Sequence, residues 1–429
     1  MSKADNSADV VITGLGPVTS IGVGAEELWE SLLAARTNVV RRALPVDLGR
    51  TVEVPIAAMP PIADVPGLGP HAEFLAGQDC ACYRDLAYAL LASELALADA
   101  GLVHDRDDND VGMVQAFEAP GVEHTVSKLF GMMSGPPPTD GPPPVYDVLA
   151  PSFYNMQPFL YVHVASKALG LHGFSTSVHN ACSSGAFAID IAAQQIRSGR
   201  CSVMLVMGGE SFDTAVRLEW FRKLGLYAEG GESRPFYPDP RGFFVGEGAG
   251  AIVLESSAHA CRRNAKVYAA YLGGAFAQQS WKQVIPDVRT GRLGRVIVKA
   301  LSVSGVAREE IDLVVPHGAA TQLSDGYEAS CLAQALGEGA GGAAATAFKP
   351  AVGHTLAASA VIETICALLA MKHGIVPAMP RPPDDTQTPT VPIVTKTAAR
   401  TIQTVLKLST GFTGHDAALL LGRVRGDTR

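Results

Sequence analysis

This chain is poor in aromatic and charged residues. Aromatics make up 7% and charged residues 18% of 429 positions, the net charge is −8, and no long run of Lys or Arg occurs. A chain of that charge offers no field for nucleic acid or an anionic membrane, so neither is expected as a partner. An acidic protein partner would need a local basic patch. The seven cysteines, at 80, 82, 182, 201, 261, 331 and 366, are odd in number and unevenly spaced. That excludes a disulfide framework, fits a reducing cytosol, and makes a cytoplasmic location the expectation. Cys80-Ala81-Cys82 has neither a second pair nor nearby histidines, so no metal site is expected. Met1-Ser2-Lys3-Ala4-Asp5-Asn6 lacks the apolar core of a signal peptide. The best apolar run, Val361 to Met371, is short and contains Glu363, so no bilayer span is expected. No short-period repeat is visible.

What remains is a globular composition, 47% hydrophobic with 44 glycines, and length for two or three domains. Buried strands are expected at Val10 to Leu15, Val111 to Phe117, Phe174 to His179, Ser202 to Met207 and Gly250 to Leu254. A second series follows at Lys266 to Leu272, Ile311 to Val315, Val405 to Leu408 and Ala417 to Leu421. Helices are expected at Ala25 to Ala35, Tyr83 to Ala100, Ala186 to Ser198, Leu293 to Ser304, Ser324 to Leu336 and Thr355 to His373. Residues 36 to 80 read as proline-rich and irregular. Gly135 to Pro144 reads as a loop that is either a linker or the border of a site. The alternation of strands and helices in both series predicts an α/β fold with largely buried sheets.

Cys182 stands between a strand and a helix in Val178-His179-Asn180-Ala181-Cys182-Ser183-Ser184-Gly185. The free amides at the start of that helix favour thiolate and can bind an oxyanion on an acyl group carried by the sulfur. An isolated cysteine is more often packing than catalysis. His317 in Pro316-His317-Gly318 and His354 in Gly353-His354-Thr355 each follow strand-like or glycine-bounded segments. Either alone is more often a structural histidine than a catalyst. Together, a thiol and two imidazoles supply the nucleophile, the acid/base group and the carbonyl donor that thioester carbanion chemistry requires.

These motifs resemble those of the elongating β-ketoacyl-carrier-protein synthases of the thiolase superfamily. The resemblance runs through Val10 to Gly16 with Ile21-Gly22, Ala181-Cys182-Ser183-Ser184-Gly185, Arg234-Pro235-Phe236 and Gly246-Glu247-Gly248-Ala249-Gly250. It continues through His317-Gly318 with Thr321, Asp325 and Glu328, then Lys349 with Gly353-His354-Thr355 and Glu363, and Gly411-Phe412-Thr413-Gly414-His415. It implies a five-layer αβαβα thiolase fold in two similar halves, 1–256 with the nucleophile and 257–429 with both histidines. It also implies a homodimer formed through the strand near Ser202 to Met207.

The implied activity is acyltransfer. Cys182 accepts an acyl chain from a carrier-protein thioester. His317 and His354 polarise a malonyl thioester, assist its decarboxylation and stabilise the enolate that condenses with the acyl group. The backbone amides of Cys182 and Phe412 would form the oxyanion hole, and Phe412 the gate. Lys349 would pair with Glu363, Glu328 would support the His317 loop, and Thr321, Thr410, Gly411 and Thr413 would meet the pantetheine or substrate. The partner would be an acyl or peptidyl carrier protein bearing the phosphopantetheine, with no cofactor bound to this chain. His354 in the third catalytic position separates the chain from Cys-His-Asn relatives, and Gly411-Phe412-Thr413-Gly414 lacks the second cysteine of thiolases.

Departures surround this core. Tyr237, Pro240-Arg241, Ala319, Ala357, Ser359, Thr410 and Thr413 stand where the family usually has other residues, and Pro151 to Pro158 is unlike the usual elongation enzymes. They suggest a standalone, specialised natural-product ketosynthase. A cyclase or transacylase acting through Cys182 is the alternative, with aldol and lactone closure as one outcome. A non-catalytic partner subunit is the third reading, which the intact Cys182, His317 and His354 oppose.

Overall fold

The structure is a computed structural model, and it describes residues 9–78, 80, 83–102, 110–133, 153–154, 156–337, 342–380 and 387–424. Met1 to Asn6, Cys82, the loop Gly135 to Pro144 and part of Pro151 to Pro158 lie outside the described residues.

Ten strands carry the fold. In the first half they are β1 (Val10–Thr19), β2 (Gly112–Ala116), β3 (Ser175–Val178), β4 (Val203–Glu210) and β5 (Gly248–Ser256). In the second half they are β6 (Ala269–Gln278), β7 (Leu313–Val315), β8 (Ala344–Ala345), β9 (Thr404–Gly411) and β10 (His415–Gly422). The first half runs β3-β2-β4-β5-β1 and the second β8-β7-β9-β10-β6. In chain order within each half, both sheets follow one permutation. The senses agree as well: β2 pairs parallel with β3 and β4, as β7 does with β8 and β9, and the remaining neighbours are antiparallel. A short antiparallel contact, Val11↔Ala270 and Ile12↔Ala269, joins the halves.

Among the helices of the described residues, five define the layers: α1 (Arg84–Asp99), α2 (Ser184–Arg197), α3 (Arg292–Ser304), α4 (Gln322–Leu336) and α5 (Ser359–His373). The helices α2 and α5 share one apolar core with the facing sides of both sheets. The helix α1 covers the outer side of the first sheet, and α3 and α4 that of the second. The order is therefore α, β, α, β, α. Helix α5 is buried on nearly all sides, which explains its sequence: a helix apolar around its whole circumference has no solvent face. Residues Leu356–His373 are long and apolar enough by composition to cross a membrane, but 89% of that stretch is buried inside the protein. Burying Ile362, Ile365, Leu368 and Leu369 contributes roughly 2 kcal/mol each. A side chain at Gly185 would place its first carbon 2.9 Å from Val361 Cγ2 and 3.1 Å from Ala357 O, so the close approach of α2 and α5 requires glycine there.

Two expectations are corrected. Residues 36 to 80 are not irregular: they hold the antiparallel pair Val39–Asp47 and Arg50–Ala57 and the helix Leu68–Ala76. Pro45 and Pro55 are accommodated within that pair, which is why proline content misled. The strand read at Ser202 to Met207 cannot carry a strand-to-strand dimer contact. It became β4, paired on both sides by β2 and β5, whereas the outer strand of the first sheet is β3.

Candidate functional site

The turn that carries Cys182 is built twice. After β3 comes a 3₁₀ turn, Ala181–Ser183, and then α2. After β8 come the short helix Lys349–Val352, His354, a 3₁₀ turn Leu356–Ala358, and then α5. Each 3₁₀ turn opens on a non-glycine residue with positive φ, Ala181 at 49° and Leu356 at 42°, a conformation few side chains tolerate. In the first turn the strained residue precedes Cys182. Ser184 holds the turn: its hydroxyl accepts the Asn180 N–H at 2.8 Å and donates to Ala181 O at 2.7 Å.

Cys182, His317 and His354 line one cavity of about 410 Å³. All three are buried, and the two imidazole rings lie 5.5 Å apart at 76°. Phe221, Leu226, Phe243, Ile285, Leu356 and Phe412 give the cavity an apolar wall, and Lys282, Thr321 and Gln322 add polar groups. Thr410 and Gly411 line it too. Thr413 does not: it is exposed, and its N–H donates to Gln283 O at 2.5 Å. Its φ of 62° turns it away from the cavity side of the loop. Phe412 packs edge-on to Trp220 at 5.7 Å and against Phe221 at 6.0 Å.

Below the histidines lies a buried ionic cluster. Glu328 accepts the His317 N–H at 2.6 Å and the Gly318 N–H at 2.9 Å, which fixes the His317 loop. Lys349 donates to His317 O at 2.5 Å and to Glu363 Oε1 at 2.6 Å, and its Nζ is 3.5 Å from His317 Nδ1. An ammonium group has no lone pair, so His317 Nδ1 is the acceptor and its proton sits on Nε2. His354 Nδ1 lies 2.8 Å from the Ser359 hydroxyl.

Sequence reasoning missed two members. Lys407 lies 2.8 Å from Glu363 Oε2 and is wholly buried. It belongs to β9, registered against Val315 of β7, and so reaches under the loop that carries His317. A lysine inside the apolar run Val405 to Leu408 was the available signal. Ser359, seen only as a departure in a helix, is the other.

The electrostatics follow from burial. Desolvation, with help from Lys349 and Lys407, pushes His317 and His354 well below the ordinary imidazole range; His354 also depresses His317. Both are neutral near pH 7. Burial, with the Glu118 carboxylate, pushes the Cys182 thiol up, and Lys349 only partly opposes it. Burial and Glu118 thus oppose the helix amides, which favour thiolate.

Comparison with known proteins follows the same outline. Residues 7–260 match the beta-ketoacyl synthase N-terminal domain and residues 268–381 the corresponding C-terminal domain. The chain is 29% identical to "Oxytetracycline polyketide putative beta-ketoacyl synthase 1" of Streptomyces rimosus, over 98% of each chain. It is 30% identical to 3-oxoacyl-[acyl-carrier-protein] synthase 2 of Rhizobium meliloti, over 97% of this chain and 99% of that one. Among solved structures it is similar to the ishigamide ketosynthase/chain length factor, with a TM-score of 0.81 and 26% identity over 97% of this chain and 99% of the other.

Proposed function

The chain belongs to the beta-ketoacyl synthase family, and from that premise we propose that it transfers an acyl chain from a carrier-protein thioester to Cys182 and extends it. Extension is a decarboxylative Claisen condensation with a malonyl-type thioester, in polyketide or fatty-acid-like biosynthesis. One observation carries this reading: Cys182, His317 and His354 face one apolar cavity, with both imidazoles neutral.

In the loading step the Cys182 thiol gives up its proton as sulfur attacks the incoming thioester carbonyl. The oxyanion is received by the backbone amides of Cys182 and Phe412, and the carrier thiol leaves with a proton. In the second step the malonyl thioester carbonyl accepts from His317 Nε2–H, with His354 beside it. Loss of CO2 leaves an enolate, whose carbon attacks the acyl carbonyl and expels the Cys182 sulfur. The carrier's phosphopantetheine arm enters past Thr321 and Lys282. The name of the Rhizobium relative refers to an acyl carrier protein, which supports that partner. A homodimer in the cytoplasm is part of the same reading. Cyclisation or transacylation through Cys182 is the second reading, favoured by the Ser359 hydroxyl on His354.

Intact-protein mass spectrometry tests the proposal. Wild type and Cys182→Ser are incubated with acyl thioesters on a carrier protein or pantetheine, with and without malonyl carrier protein. Acyl mass gained by wild type alone, then discharged by the malonyl thioester with CO2 release, is the expected result. Discharge without malonyl thioester would replace condensation with the second reading. Absence of loading across the panel would sink both.

A further inference from the structure

The two histidines differ in the partner of Nδ1. His317 Nδ1 lies 3.5 Å from Lys349 Nζ, a pure donor, which favours the proton on Nε2 of His317. His354 Nδ1 faces the Ser359 hydroxyl at 2.8 Å, which accepts from Nδ1–H as readily as it donates to bare Nδ1. Ser359 Oγ also lies 3.2 Å from Thr355 Oγ1, so the serine proton keeps an acceptor when Ser359 receives from His354.

The duplicated turn shows what is unusual about this hydroxyl. Ser184 and Ser359 are each the first residue of a central helix, directly after a 3₁₀ turn. The Ser184 hydroxyl is consumed by backbone, Asn180 N–H and Ala181 O. The Ser359 hydroxyl is instead placed on an imidazole.

We propose that Ser359 is a positioning residue that lets His354 carry its proton on Nδ1, leaving Nε2 as a base toward the chain held on Cys182. This rests on the reading of Cys182 as the acyl acceptor. His354 Nε2 takes a proton from the carbon α to the thioester carbonyl. The C–H pair forms the carbon–carbon double bond of an enolate, and the carbonyl π pair moves onto oxygen. That carbon can attack a second carbonyl farther along the same chain, forming a C–C bond. His317 Nε2–H is the donor available to the oxygen gaining charge, and the proton on His354 passes to the new alkoxide. No CO2 is lost and no co-reactant is consumed. The substrate class is an acyl chain bearing an additional ketone, and the reaction an intramolecular aldol closure.

The test uses full-length protein loaded at Cys182 with a saturated acyl group deuterated at the α carbon, presented as the pantetheine thioester. Intact mass follows both the acyl gain and the loss of deuterium to water, so washout is read per loaded protein. The expected result is washout well above that of the free thioester in buffer. It should fall about a hundredfold in His354→Asn. In Ser359→Ala it should fall about fivefold to tenfold, the worth of one hydrogen bond, and Ser359→Thr should restore it. Loaded wild type that retains its deuterium overturns the base role of His354 while leaving acyl transfer to Cys182 intact. Washout unchanged in Ser359→Ala overturns the role of the hydroxyl. Failure to load removes the underlying reading and this inference with it.

Discussion

Lys407 Nζ stands 2.8 Å from Glu363 Oε2 while Lys349 Nζ stands 2.6 Å from Oε1 of the same carboxylate. All three side chains are at most 2% exposed. Two cations on one anion, beneath two imidazoles, hold a positive field where protonated histidine would have to form. Desolvating such a cluster is costly, and its contacts hold the His317 loop through Lys349.

Lys407→Met is therefore expected to act in two ways. Leaving one oxygen of a buried carboxylate without its counter-ion should lower the unfolding free energy by about 3 kcal/mol, read by urea denaturation. Loss of the cation should also move the acid limb of the acyl-transfer pH profile upward, toward the ordinary imidazole range. A drop in rate without that movement would reduce Lys407 to a structural element.

In wild type the same limb should lie well below the ordinary histidine range, because both imidazoles are depressed by burial and the two lysines. Unfolded histidine binds a proton below about pH 6.5, and the buried rings do not. Their contribution is thus complete above that pH and lost on acidification. Acyl-transfer rates and denaturation midpoints between about pH 5 and 8 check both statements.

Asp325 works in the opposite direction. Burial pushes its carboxyl up to about 8, despite the 2.6 Å hydrogen bond from Phe236 N–H. A folded value above the unfolded one near 3.9 means a contribution complete below about pH 4 and lost as pH rises through about 8. Asp325→Asn removes that dependence. Its stability relative to wild type should improve between about pH 5.5 and 8.5, measured by denaturation at both.

Gly411→Ala should cripple loading without unfolding the protein. Its added carbon would sit 2.8 Å from Asn180 O and 3.4 Å from Cys182 N, forcing the gate loop off the nucleophile turn. A loss of about a hundredfold in the rate of Cys182 acylation is expected, typical of displaced catalytic geometry. Thr413→Gly is the contrasting variant. Relief of the strain at φ 62° is roughly balanced by the chain entropy of glycine, so stability should shift by less than about 1 kcal/mol.

Alkylation of Cys182 by iodoacetamide should be slow at pH 7 and accelerate with pH beyond the range of an ordinary thiol, since burial and Glu118 hold the sulfur protonated. Peptide mapping at several pH values reads this directly. Rapid labelling at pH 7 would mean that the helix amides outweigh burial.

Much of the site could be read in one dimension. Cys182, His317 and His354 each sit at the end of a strand or turn with a local signature, and the Lys349–Glu363 pair and the Glu328 brace stand as the resemblance implied. Local pattern also placed most strands and helices, because buried strands and helices impose their own periods on sequence. It failed at 36 to 80, where prolines in a peripheral strand pair imitate a loop.

The sequence by itself determined most of the two α/β series and the local patterns around Cys182, His317 and His354, all properties of short segments. Tertiary structure decided the rest. That β4 is interior and β3 outermost depends on strand order, which no local period encodes. That burial pushes the Cys182 thiol up depends on how deeply the turn is buried, which no short segment encodes. That Lys407 lies under His317 depends on register between β7 and β9, and that Ser359 meets His354 depends on the turn into α5. Those contacts join residues by distance in space, and folding alone sets it.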